Sequence, residues 1–389
     1  MEDSMLALAE RMGVRHVWGV SSGRAALCVV LSSLRQLRPE RAVVALPAYT
    51  CFSVAAAIVR SGLTLYPLDI NPETLDFDPL ELEKLPDKTL LCIITSNLFG
   101  YAGDIVPVHF VAHQKGAFVV DNAAQALGSL RDGQLAGTRG DVGVFSLGRG
   151  KPISAIEGGL IVANADDISQ AVAQEVNRLR PKSPTHTVYM LLQLGVYAAL
   201  LHPTRYWIPN AIPFLQLGTT TFEPTFPVHT LHTLARHLLL AQWDRLGALN
   251  EIRRSNAARI TGGLGTSDIF YFPQPASSAQ PAMVRLPVLA AHETTRQLAV
   301  SRLRGAGVGA TCFYPSAICD IPGIQQFIAA PNYHCTKAEC LSRTLFTLPV
   351  HPLVEQGDIN RIIAILRAVE QDNAYRTASQ EYPSPKVAQ

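Results

Sequence analysis

The sequence predicts an α/β protein: a large domain on a mostly parallel sheet flanked by helices, followed by a smaller C-terminal α+β domain. Three observations carry this. Residues 25–150 alternate helical and strand-like runs. Leu90–Thr95 and Ala117–Val120 are continuous β-rich apolar runs of the kind buried on both faces of a parallel sheet. Beyond about residue 250, strands and helices recur in a shorter, mixed order.

In chain order, an apolar helix is expected after Arg24, a strand at Ala42–Leu46, a helix after Thr50 and a strand at Thr64–Leu68. The two buried strands follow, then Val142–Leu147 and Leu160–Ala163 as short strands on either side of a glycine-rich loop. A helical stretch ends near Arg180, before Pro181 and Pro184. Between Lys182 and Glu223 the only charged residue is Arg205. The piece Tyr189–Leu201 is apolar nearly all round, yet shorter than the roughly 20 residues a bilayer span requires. It therefore needs a cover: the core, a subunit interface, or a membrane or membrane enzyme docked through residues 189–215, with Tyr206 and Trp207 as amphipathic anchors. A helix is expected over His229–Ala257, strands at Ala282–Val288 and Leu345–Leu348, and helices at Thr294–Ala306 and Asp358–Glu370. The expected division is a large domain over 1–250 with an apolar insertion at about 183–222, a small domain over 251–372, and a polar tail over 373–389.

Composition narrows the function. The chain has 389 residues, 48% hydrophobic and 16% charged, with a net charge of +2, so no basic stripe points to nucleic acid. The first ten residues lack a basic start followed by an apolar core, which predicts a cytoplasmic protein, peripheral at the inner face of the membrane if the apolar segment docks there. Seven cysteines in no framework pattern predict reduced thiols. His334, Cys335 and Cys340 lack a second ligand pair at zinc spacing, and the histidines His186, His202, His229, His232 and His237 fit no metal motif, so no metal is expected.

The chemistry concentrates at Lys151. It stands five residues after Ser146 and seven before Gly158-Gly159. Most lysines are solvated surface charges. A lysine amine becomes a nucleophile toward carbonyls when a pocket desolvates it, and a serine hydroxyl with flanking glycines suits a phosphate held nearby. A nucleotide phosphate loop is excluded, because Pro152 stands where its hydroxyl residue belongs. Three further segments converge with Lys151 if the alternation builds a parallel sheet, since ligands gather at the carboxyl ends of its strands. They are Ser21–Leu27, in which Gly23 and Arg24 open a helix whose free N–H groups favour a phosphate, Pro47–Phe52, and Val120–Gly128.

With these pieces in order, nearly the whole chain, from about Gly19 to Val369, resembles the DegT/StrS family of pyridoxal 5'-phosphate (PLP) dependent sugar aminotransferases. The resemblance rests on Ser22-Gly-Arg-Ala-Ala-Leu27, Pro47 to Phe52, Asn122-Ala-Ala-Gln-Ala-Leu-Gly128, Ser146 and Lys151 before Glu157-Gly-Gly159, and Leu348-Pro-Val-His-Pro352. It implies PLP-transferase fold type I, with a large-domain sheet of the seven-stranded type. It also implies a homodimer with active sites near the subunit interface, and amino transfer from an amino acid, glutamate by this reading, to a nucleotide-linked keto sugar in polysaccharide or glycoconjugate biosynthesis. Lys151 would bond the cofactor and shuttle the substrate proton; Ser22, Gly23, Arg24 and Ser146 would hold its phosphate; Gln125 would contact the 3-hydroxyl side of the ring. Tyr314 and Arg343 are placed as substrate contacts by position alone.

Two positions depart from the family pattern. Asn122 stands where the family has the aspartate that keeps the ring nitrogen protonated, with Asp121 as the adjacent acid, and adjacent strand residues point to opposite faces. Cys51 occupies the ring-stacking aromatic position, with Phe52 one place later. Gly218–Phe226 replaces the family's Asn-x-Arg segment that reaches the partner's cofactor. The amide leaves room for other outcomes in the same fold, dehydration or C–N bond formation, and for a non-catalytic, membrane-docked scaffold.

Overall fold

In the computed structural model, which describes residues 2–200, 220–274, 278–330 and 333–381, a helix α1 (Glu2–Met12) leads into strand β1 (His16–Val20). There follow α2 (Gly23–Leu37), β2 (Val43–Pro47), α3 (Phe52–Arg60), β3 (Thr64–Leu68), the single turn α4 (Pro79–Leu82), β4 (Leu90–Ile94), α5 (Val106–Lys115) and β5 (Phe118–Asn122). A small hairpin, β6 (Leu130–Arg131) and β7 (Gln134–Leu135), precedes β8 (Val142–Ser146) and β9 (Gly159–Ala163). Asp132 and Gly133 at its turn both take positive φ, 52° and 75°, the backbone that a two-residue Asp-Gly hairpin turn demands.

Seven strands form one sheet in the order β1-β9-β8-β5-β4-β2-β3. The pairs among β2, β3, β4, β5 and β8 are parallel, and β9 runs antiparallel to both β8 and β1. All residues of β2, β4 and β9 are buried, which is why those strands read as continuous apolar runs. The α/β class and mostly parallel sheet thus follow the expectation. Strand β1 was not anticipated: His16-Val-Trp-Gly-Val20 is neither a continuous apolar run nor an alternating one, and only its pairing with β9 makes it a strand.

Helices α6 (Asp166–Asn177) and α7 (Thr185–Leu200) continue the chain, and residues 201–219 lie outside the described residues. The helix expected over His229–Ala257 is two, α8 (Thr233–Trp243) and α9 (Leu246–Leu264), joined through Asp244 and Arg245. A three-stranded sheet of β10 (Phe270–Tyr271), β12 (Leu286–Ala290) and β13 (Leu345–Leu348) forms the later part, with β11 (Ala279–Gln280) pairing instead with β6. The strand expected at Ala282–Val288 therefore begins four residues later. Helices α10 (Glu293–Gly305), α11 (Thr336–Thr344) and α12 (Gln356–Glu381) complete the described chain. The last runs beyond Glu370, so residues 373–381 of the expected tail are helical, and 382–389 lie outside the described residues. No described helix is long and apolar enough to cross a membrane.

Candidate active site

Five strands of the sheet, β1, β2, β4, β5 and β8, point the same way, and their carboxyl ends deliver the segments Ser22–Arg24, Thr50–Cys51, Ser96–Leu98, Asn122–Gln125 and Ser146–Lys151 to one cavity of about 330 Å³. Tyr314 closes it from the later part of the chain, and Thr220 and Thr221 from the segment after 219.

One end of the cavity is a cradle of backbone. Ser22 caps α2, its Oγ accepting the N–H of Ala25 at 3.1 Å, so the helix starts at Gly23 with amides and dipole directed outward. Gly23 packs against Ser146 so closely that a Cβ would lie 2.8 Å from the serine Cβ. Gly159 is locked onto the same turn, where a Cβ would meet the Ser22 carbonyl oxygen at 2.4 Å. The glycines thus let the lysine loop and the helix start share one small volume, suited to a phosphate held by N–H groups and the Ser146 hydroxyl. Arg24 supplies a cation there. Its guanidinium stacks over Phe226 at 4.5 Å and lies 3.7 Å from Glu223 Oε2, while Arg60 faces the same ring at 4.8 Å.

Lys151 enters from the loop between β8 and β9. Burial lowers its pKa from the ordinary 10.5, the neighbouring Cys51 acting the other way, and among the described residues its Nζ has no hydrogen-bond or ion-pair partner. Two tethers hold its loop. Arg253, buried on α9, donates to the Pro152 carbonyl at 3.0 Å and to Asn250 Oδ1, while Asn250 Nδ2 donates to the Leu127 carbonyl at 3.2 Å. Desolvation lowers the Arg253 pKa to about 10. At the far end of the loop, Glu157 Oε2 accepts from Lys182 Nζ at 2.5 Å and lies 3.0 Å from His186 Nε2.

Gln125 is oriented at both ends. Its Oε1 accepts the Phe99 N–H at 2.6 Å and its Nε2 donates to the Tyr314 hydroxyl at 2.8 Å. The Tyr314 N–H in turn donates to Tyr49 Oη at 2.7 Å, and burial raises the Tyr314 phenol well above its ordinary range, keeping it neutral. Thr50 and Ser96 hydroxyls bond at 3.0 Å, and Cys51 Sγ accepts from Ser53 Oγ at 3.0 Å at the N-terminus of α3.

Asn122 and Asp121 part company as neighbours on a strand must. Asn122 faces the cavity. Asp121, fully buried, is not among the lining residues and is satisfied on the other side by Asn97 Nδ2 at 2.8 Å, Thr95 Oγ1 at 3.2 Å and the N–H groups of Gly137 at 2.7 Å and Arg139 at 3.3 Å. The assignment of Asp121 to the cofactor site is thereby corrected to a structural acid. Phe52 and Arg343 also lie off the cavity: Phe52 is the buried first residue of α3, and Arg343 is exposed on α11. Of the expected residues, Ser22, Gly23, Arg24, Cys51, Asn122, Gln125, Ser146, Lys151 and Tyr314 line one cavity. Thr50 lies in the expected segment Pro47–Phe52, and Thr220 and Thr221 in the singled-out segment Gly218–Phe226, though none was named as a site residue; Ser96, Asn97 and the tethers Asn250 and Arg253 were not foreseen. His186 and His232, read from sequence as surface or interface groups, are half-buried and form a polar cluster with Glu157 and Lys182. Among the described residues no group of side chains could hold a metal ion.

The donor set fits PLP: an amine that is desolvated and has no partner among the described residues, a helix N-terminus with serine and arginine for a phosphate, and a polar wall for the ring. The family model of the DegT/DnrJ/EryC1/StrS aminotransferases matches residues 6–190 and 229–367. The chain belongs to this family. It is a PLP-dependent aminotransferase. Over 357 residues it is 25% identical to a UDP-N-acetyl-3-dehydro-alpha-D-glucosamine 3-aminotransferase of Acidithiobacillus ferrooxidans, covering 91% of this chain and 84% of that one. It is 31% identical to a GDP-perosamine synthase of Caulobacter vibrioides over 163 residues, 42% of this chain and 43% of that one. The fold is shared with an E. coli GDP-4-keto-6-deoxy-D-mannose-3-dehydratase with bound hydrated PLP, at TM-score 0.74, 17% identity and 94% and 91% coverage.

Proposed function

We propose that the enzyme moves an amino group from an amino acid, glutamate by our reading, to a keto sugar carried on a nucleotide, for polysaccharide or glycoconjugate biosynthesis. The observation that carries this is Lys151, an amine of lowered pKa with no partner among the described residues, in a cavity shared with the Ser22–Arg24 and Ser146 phosphate cradle. Bound PLP supplies the electron-withdrawing ring. The protein supplies position and a proton carrier: Ser22, Gly23, Arg24 and Ser146 fix the phosphate, Gln125 and Tyr314 make a hydrogen-bonded wall, and Lys151 Nζ takes and returns the substrate proton on one face. The nucleotide-linked substrate is supported by the UDP and GDP sugars in the relatives' names. The test incubates holoenzyme with glutamate and a UDP- or GDP-linked 3- or 4-keto sugar. Formation of 2-oxoglutarate together with a sugar heavier by the keto-to-amine mass change is expected. A sugar that loses water instead would favour dehydration, the second reading, which the lack of a carboxylate among the described residues of the cavity supports.

The homodimer is part of the same reading. Val188, Leu191, Leu192 and Val196 recur at helical spacing on α7 and are all more than half exposed, a stripe suited to a second copy of this chain. Arg149 of the lysine loop donates to Tyr197 Oη on the same helix at 2.6 Å, so the stripe is near the site. Membrane docking through residues 189–215, of which 201–215 lie outside the described residues, is the alternative cover. Sedimentation as a dimer without vesicle binding supports the dimer; a monomer that floats with anionic vesicles supports docking.

A further inference from the structure

Arg24 and Lys151 line the cavity, and among the described residues no carboxylate does. The nearest acid on the strand, Asp121, is turned away and saturated by four donors, with Arg139 Nε 3.7 Å from it. Glu223 is engaged with Arg24. A pyridine ring carrying a proton on its nitrogen would therefore find no carboxylate among the described residues of that wall to pair with. The polar groups of that wall are mostly spoken for. Gln125 is held at both ends, and Asn97 donates to Asp121 and to the Asn122 carbonyl. Asn122 differs. Its Oδ1 accepts the Ala124 N–H at 3.2 Å, which fixes the amide's orientation because a backbone N–H can bond only the oxygen, and among the described residues Nδ2 has no partner. The amide is thus a neutral donor with an open N–H on the cavity wall, the complement of an unprotonated ring nitrogen.

We propose that this enzyme binds PLP with the pyridine nitrogen unprotonated and hydrogen-bonded by Asn122 Nδ2, so that the ring is a weaker electron sink than one held against an acid. The inference rests on the PLP site proposed above and adds the protonation state of the ring. The consequence is chemical: the less electron density the ring can accept, the less it stabilises the charge left when the substrate proton is removed.

The experiment reconstitutes the apoenzyme with PLP labelled by ¹⁵N at the ring and records its nitrogen resonance from pH 6 to 9, in wild type, Asn122→Asp and Asn122→Ala. The expected wild-type resonance is that of an unprotonated, hydrogen-bonded pyridine, constant with pH. It moves to the protonated range in Asn122→Asp and toward that of a pyridine without a donor in Asn122→Ala. A wild-type resonance in the protonated range overturns the proposal, and this spectrum decides even where a variant does not fold. An alanine variant with an unchanged resonance overturns the role of Asn122. Loss of the lysine-bound colour in wild type would instead refute the cofactor site, so the two failures are distinguishable.

Discussion

Replacing Asp121 by Asn separates a structural acid from a cofactor ligand. The carboxylate has no exposed surface and its two oxygens accept four hydrogen bonds, two each, with Arg139 at 3.7 Å. An amide can satisfy only one pair; its NH₂ would face the donors of the other, and the buried guanidinium would lose its counter-charge. Breaking a buried ion pair from one side costs about 3–5 kcal/mol, against a total stability on the order of 5–15 kcal/mol. Asn122→Ala removes one backbone cap and costs only about 0.5–1.5 kcal/mol. Urea unfolding of the apoproteins, followed by far-ultraviolet circular dichroism, reads both. At an m of about 3 kcal/mol/M, Asp121→Asn should lower the midpoint by roughly 1–1.7 M and Asn122→Ala by no more than about 0.5 M. Were Asp121→Asn to unfold like wild type while losing PLP, the acid would belong to the cofactor after all.

Three further outcomes follow from the same geometry. Gly23→Ala places a Cβ 2.8 Å from that of Ser146, which cannot swing away, so PLP titration should show affinity reduced about 10–100-fold, the loss of one or two charge-assisted contacts, and unfolding should show the overpacking as a loss of about 1–3 kcal/mol. Arg253→Ala leaves the Pro152 carbonyl and Asn250 Oδ1 without their donor; a loss of about 2–3 kcal/mol in unfolding and a weakened lysine-bound absorbance are expected. Lys151 has a folded pKa below the ordinary 10.5, so between the two values the unfolded chain binds more protons and apoprotein stability rises with pH. Lys151→Met should flatten that rise and stabilise the apoprotein on its acid side, as seen in thermal melts across pH.

The parts legible in the sequence were those whose signal is local. β4 and the Phe118–Val120 start of β5 are apolar runs with no polar face to show, and Ser146, Lys151 and the glycine pair stand at fixed offsets in one segment. β1 was hidden because Gly19 interrupts it, and that glycine is there for Leu231, whose side chain a Cβ would meet at 2.7 Å. The break between α8 and α9 has neither glycine nor proline to announce it. Asn250 and Arg253 look like ordinary polar residues of a long helix; only tertiary packing brings them beneath Leu127 and Pro152. The division of Asp121 from Asn122 was foreseeable from strand alternation, but which of the two faced the cavity depended on the register of β5 beside β8, where Asn122 pairs with Val144.

The most direct measurement is borohydride reduction of the holoenzyme followed by peptide mapping, with the visible spectrum taken before and after glutamate. The account predicts an absorbance that glutamate bleaches and, after reduction, one modified peptide carrying the cofactor on Lys151. Cofactor fixed on another lysine, or a spectrum without any lysine-bound band, would contradict it.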